Sequence, residues 1–126
     1  MARDRTNIVV AWAGLLGFCA VAAGAFGAHA VADPKAKAWL QSGAEYGMVC
    51  ALAALAALGV QRLGGRTAGA AAWCFLAGGA VFSGALYALA LTRQPLLGAV
   101  APIGGVLMLA GWALLAGAGF TVKPTP

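Results

Sequence analysis

Long apolar stretches alternate with short polar breaks along the chain. Thr6 to Ala32 holds no Asp, Glu, Lys or Arg over 27 residues, Thr67 to Thr92 none over 26, and Gln94 to Val122 none over 29. The run from Tyr46 to Gln61 has only 16 residues, so its helix must begin earlier. A helix rising about 1.5 Å per residue needs roughly 20 apolar residues to cross the hydrocarbon of a bilayer. The pattern predicts four spans, at about residues 6–27, 42–61, 68–91 and 96–120. The expected fold is all-α, an integral membrane four-helix bundle in a single domain, with a short interfacial segment between helices 1 and 2.

Local signals place the ends of these elements. In "HAVADPKAKAWLQSG", Asp33 suits an N-cap and Pro34 the first helical position. Lys35, Lys37, Trp39 and Gln41 suit a segment lying at the membrane surface, with Trp39 at headgroup depth. Ser42-Gly-Ala-Glu45 then fits a capping box, predicting that the second span starts near Ser42. Pro102, followed by Gly104 and Gly105, either kinks the fourth helix or forms its first turn, and the kink is preferred. The amino-terminal stretch has basic residues and an Ala28-His29-Ala30 sequence like a signal-peptidase site. Its apolar part exceeds the roughly 7–15 residues of a signal peptide, so it reads as a span.

Composition agrees with lipid as the solvent. The chain is 63% hydrophobic and 9% charged, with mean hydropathy +0.90, whereas a soluble domain carries about 25% charged residues. A soluble domain this small has too little interior to hide so much apolar surface. The net charge of +5 lies between spans and forms no basic face, which argues against a nucleic-acid partner. It bears on orientation instead. Arg3, Arg5, Arg62, Arg66 and Lys123 fall on one side, and Lys35, Lys37 and Arg93 on the other, so both termini are expected in the cytoplasm.

Candidate chemistry is sparse. Cys19, Cys50 and Cys74 each lie within a span, without the spacing of a zinc, c-type haem or redox motif. They are expected to be free thiols, and no cofactor or metal is expected. By depth, only Cys19 and Cys50 could meet. His29 ends the first span, while Glu45 and Tyr46 begin the second on the same outer side. A short connection would bring these three together, with His29 beside Glu45 or Tyr46. They form the candidate polar site for a ligand, a lipid headgroup or a partner, although the structural account, with the glutamate as a cap and the histidine as its hydrogen-bond partner, is preferred. Ser83 and Tyr87, four residues apart, share a face of the third span and are expected to act in helix packing. Gly104 and Gly105 are assigned the same task.

The segments "GAFGAHA", "WLQSGAEY", "FSGALYALAL" and "PIGGVLMLAGWALL" together resemble the small membrane family called domain of unknown function 423. That family includes bacterial inner-membrane proteins and the animal transmembrane protein 256. The resemblance runs from Gly14 to about Leu115 and implies a four-helix protein of the bacterial inner membrane. The family pattern after the glutamate resembles E-Y-Q-x-x-H. Here Gly47 stands for the glutamine and Cys50 for the second histidine, so any histidine-pair chemistry lacks a member.

The expected function is non-catalytic: an accessory or assembly subunit packing against a larger membrane complex, with membrane lipids and a membrane protein or a second copy as partners. The abundance of small Gly and Ala surfaces motivates it. The alternatives are a small transporter or channel, or a lipid- or ligand-binding protein using His29, Glu45 and Tyr46. Transport of the small multidrug-exporter kind needs a carboxylate deep in the bilayer, and Glu45 is expected near the surface. An enzyme would need a nucleophile–base pair, and none stands out.

Overall fold

The computed structural model describes residues 2–125, with side chains from Arg5 onward, so that of Arg3, counted above for orientation, lies outside the described residues. Four helices follow one another: α1 (Ala2–His29), α2 (Pro34–Arg62), α3 (Ala68–Thr92) and α4 (Pro95–Ala118), closed by a 3-10 turn at Gly119–Thr121. All four are long and apolar enough to cross a membrane. Consecutive helices are antiparallel neighbours, as short connections require. The third occupies the centre, packed on α2 and α4, while α1 leans on α2 and touches α3 more lightly. α1 and α4 do not close on each other, so the bundle is open along one side.

The second helix departs from expectation. It begins at Pro34, with Asp33 as its N-cap accepting the Ala36 N–H at 3.0 Å. Ser42 to Glu45 lies in the helix interior and caps nothing. The interfacial segment is therefore the first two turns of α2 itself, continuous with the span. Two start signals compete within nine residues. Asp33-Pro34 prevails because proline at the first position costs no hydrogen bond, whereas a start at Ser42 would leave Pro34 to Gln41 without helical bonding. Pro102 likewise lies inside α4, whose first residue is Pro95. The fourth helix passes through it rather than starting there.

In lipid the helices gain no hydrophobic drive from meeting one another, so close backbone approach must hold them. A methyl group built on Gly104 would lie 2.5 Å from the Phe82 nitrogen and 2.7 Å from the Gly78 oxygen; one on Gly78 would lie 2.9 Å from the Gly104 oxygen. These two glycines are the closest crossing of α3 and α4. Gly111 makes room for Phe75, which is fully buried and meets Trp112 edge-on at 4.7 Å. Gly105 faces open space and takes no part in this contact. Between α2 and α3, Gly79 receives Cys50 among buried alanines such as Ala54, Ala57, Ala68, Ala71 and Ala72.

The connections are tied as well. Gly64 takes φ +100 in the turn after α2, a backbone conformation that glycine adopts without steric cost. The carboxyl-terminal tail folds back onto this turn, with the Lys123 N–H donating to Leu63 O at 2.9 Å and the Arg66 N–H to Thr121 Oγ1 at 2.8 Å. The α3–α4 corner is just Arg93 and Gln94, with Arg93 left-handed at φ 61.

Candidate functional site

The register of α1 against α2 decides which polar residues meet at the end of the bundle opposite the termini. Methyl groups built on Gly27, Gly24 and Gly17 would lie 3.1 Å from Leu40 Cβ, 3.5 Å from Ala44 Cβ and 3.8 Å from Ala51 Cβ. His29, the last residue of α1, is thus level with Trp39 and Leu40, and Glu45 is level with Ala23. Six residues of helix, about 9 Å, separate the two heights. His29 is exposed and, among the described residues, forms no hydrogen bond or ion pair with Glu45 or Tyr46. The expected contact is absent because α2 starts eight residues earlier than Ser42. Glu45 is correspondingly deeper than expected. It is exposed on the outward side of α2, roughly 9 Å below the level of Trp39, and no described residue bonds its carboxylate. Tyr46 turns toward α3 and meets Phe82 edge-on, with centroids 5.0 Å apart.

A different group organises this end. Asp33 Oδ2 accepts from Arg93 Nη2 at 2.6 Å, joining the α1–α2 connection to the α3–α4 corner. The Arg93 guanidinium carbon lies 5.8 Å from the centre of the Trp39 ring, and Lys35 Nζ lies 6.0 Å from it. Asp33's carboxyl is held below the usual aspartate range, chiefly by the Ala36 N–H; desolvation opposes this, and the Arg93 charge and hydrogen bond with the Lys35 charge add to the lowering. Sequence reading placed Asp33 as a cap and Trp39 at the interface but missed Arg93. The pair is separated by 60 residues, and no local pattern announces it.

Ser83 and Tyr87 come together with α2 at a knot in the middle of the molecule. The Ser83 hydroxyl, fully buried, donates to Gly43 O at 2.6 Å. Glycine at 43 and 47 makes the approach possible: a methyl on Gly43 would lie 2.6 Å from Tyr87 Cε1, and one on Gly47 would lie 2.9 Å from Ser83 Oγ. The Tyr87 hydroxyl reaches the same place and is buried, with no hydrogen-bond partner of good geometry among the described residues. The three cysteines are free, Cys50 buried, Cys74 half-buried and Cys19 exposed to the surroundings of α1. Among the described residues no cluster of three or more His, Cys, Asp or Glu side chains is placed to hold a metal.

A family model described as "Protein of unknown function (DUF423)" matches residues 23–105. Among the relatives, the UPF0382 inner membrane protein YgdD of Escherichia coli (strain K12) is 42% identical over 117 residues, covering 87% of this chain and 87% of that protein. A UPF0382 membrane protein of Haemophilus influenzae is 38% identical over 112 residues, covering 86% and 90%. One from Staphylococcus epidermidis is 38% identical over 102 residues, covering 76% and 81%. No solved structure matches the chain. With its four spans, the chain is a multi-pass protein of the bacterial inner (plasma) membrane.

Proposed function

This chain belongs to the DUF423 family, and from that premise we propose that it is a non-catalytic accessory or assembly subunit that packs against a larger complex in the membrane. Glu45 carries the reading. An ionisable side chain within a span is costly, commonly about 2.5–3.5 kcal/mol for a charge at the helix centre, and it normally faces a bundle interior or a partner. Glu45 faces outward from α2 instead, roughly 9 Å below the level of Trp39. The same side carries Gln41, Val49, Leu52, Ala56 and Gly59, which with Glu45 are spaced three or four apart and all exposed. A polar pair within an apolar helix face is how membrane helices hold one another by interhelical hydrogen bonds. Glu45 and Gln41 are the proposed partner site, with Tyr46 turned toward α3 and His29 about 9 Å higher along the bundle. Glu45 points away from the other three helices, which favours a docking residue over a transport carboxylate. The charge distribution supports both termini in the cytoplasm.

The test separates the chain from its complex. Glu45→Leu should make the isolated chain more stable in detergent, because it removes a lipid-facing carboxylate. The same change should abolish recovery of a stoichiometric membrane partner by affinity purification in mild detergent. Recovery of the native chain alone, or only as copies of itself, or full partner recovery with Glu45→Leu, would overturn the proposal.

A further inference from the structure

The end of the molecule that carries the termini holds a cavity of about 720 Å³ between the start of α1, the end of α2 and the start of α3. Two guanidinium side chains, Arg5 and Arg66, line it with the Gln61 amide, and Val9, Leu58 and Trp73 form its apolar wall. No described carboxylate lines it, and neither arginine has an ion pair among the described residues. Two unpaired cations facing one cavity select an anion, because each like charge raises the cost of leaving the other uncompensated. Arginine is suited to a phosphate through its fork of donors.

A second concavity, about 400 Å³, begins where the first ends. It is a groove between α1 and α3, walled by Trp12, Leu16 and Cys19 and floored by Ala77, Ala80 and Gly84. Trp73 lines both. The groove exists because α1 touches α3 lightly and α4 stays away from α1. Along α3 it runs from Trp73 to Tyr87, fourteen residues or about 21 Å, long enough to take an extended acyl chain and reaching past the roughly 15 Å depth of one leaflet.

We propose that cavity and groove form one binding site for an anionic phospholipid, its phosphate between Arg5 and Arg66 and one acyl chain along Ala77, Ala80 and Gly84. Neither half alone picks out this ligand. A cationic cavity would accept any small anion, and an apolar groove facing lipid would accept any chain. Joined at Trp73, they select a molecule with a negative head and a long apolar tail. A zwitterionic lipid brings its own cation to the two arginines, so it is rejected by charge.

The site is tested with the full chain in phosphatidylcholine nanodiscs, in a background carrying Trp39→Phe and Trp112→Phe so that fluorescence comes from Trp12 and Trp73. Phosphatidylglycerol with brominated chains should quench with saturation at a low mole fraction, and brominated phosphatidylcholine should quench only in proportion to its amount. Arg5→Gln and Arg66→Gln should each weaken binding about fivefold, the effect of one basic residue near an anionic headgroup. Arg62→Gln, outside the cavity, should change it less than twofold. Ala80→Leu, which fills the groove without touching a charge, should remove saturable quenching while the fold persists by circular dichroism. Competition by inorganic phosphate at millimolar concentration would reduce the site to a free-anion site. Equal saturation by phosphatidylcholine, equal weakening by Arg62→Gln, or unchanged binding in Ala80→Leu would each overturn the proposal.

Discussion

Gly104→Ala is the sharpest probe of how the helices are held. The added methyl would sit 2.5 Å from the Phe82 nitrogen, and relief to ordinary van der Waals contact at 3.4 Å requires α4 to retreat from α3 by about 0.9 Å. The obstructing atoms are backbone, so no side-chain rotation avoids the move. A radial gap of about 0.5–1 Å forfeits a quarter to a half of each contact's attraction. The contacts at risk include those of Ala85, Leu89, Ala101 and Met108, all buried beside the crossing. Overpacking of this kind costs about 1–3 kcal/mol, and the rigid obstruction puts Gly104→Ala near the top of that range. Better helix propensity returns at most about 1 kcal/mol, leaving a net loss of about 2 kcal/mol. Gly105→Ala has nothing within 4 Å, so it should be neutral or stabilising by up to about 1 kcal/mol. Both are measured by titrating SDS into the protein in mild detergent and following Trp112 fluorescence, which reports the Phe75 contact between α3 and α4. Gly78→Ala should resemble Gly104→Ala, and the double variant should cost less than the sum, because one retreat admits both methyls. If Gly104→Ala and Gly105→Ala agree within about 0.5 kcal/mol, the backbone crossing is not what holds α4.

Ser83→Ala should lower stability by about 0.6–2 kcal/mol through loss of the bond to Gly43, while Tyr87→Phe should be neutral or stabilising because it removes a buried hydroxyl that has no hydrogen-bond partner of good geometry among the described residues; a comparable loss in both, by the same SDS titration, would mean that the tyrosine bonds after all. The native state lowers the Asp33 pKa, so the carboxylate stabilises the fold above about pH 3.9 and the contribution disappears as pH falls through its folded value. Melting temperature should therefore fall in acid in the native chain and much less in Asp33→Asn, and equal acid sensitivity would refute the role of the pair. Single cysteines at Lys35 and Lys123, in a cysteine-free background, should label from the outer and the cytoplasmic side respectively; labelling of both from one side would overturn the orientation.

The four helices were legible because charge-free length is all that lipid demands of a span, and each run ends on a charge or a glycine turn. The start of α2 was not. Ser42-x-x-Glu45 satisfies the local rule for a helix start, yet a cap acts only where the helix has not already begun, and Asp33 begins it upstream. That one displacement of eight residues carries Glu45 about 12 Å further along the axis, which separates it from His29 and sinks it in the span. Local pattern thus named the polar residues near the outer end but not their register. Asp33 with Arg93, and Gly43 with Ser83 and Tyr87, depend on how distant helices dock and leave no periodic trace. The packing glycines divide for the same reason: Gly104 and Gly105 are adjacent and alike in sequence, and only the direction of α3 from α4 distinguishes the one that is used.

The two-residue corner of Arg93 and Gln94 has a consequence for biogenesis. With Thr92 ending one helix and Pro95 beginning the next, no slack exists for α3 to settle across the bilayer while α4 waits outside. With both termini in the cytoplasm, as the charge distribution favours, the two would enter as a hairpin whose tip carries Arg93 through the hydrocarbon, after the α1–α2 hairpin that brings Asp33. The ion pair of Asp33 and Arg93 then acts as a latch that forms only when both tips have crossed, so a half-inserted chain lacks it. In a series of translation-arrested chains of increasing length, arrival of the second hairpin should register as one event, at the length that frees α4 from the ribosome, rather than as two separate insertions.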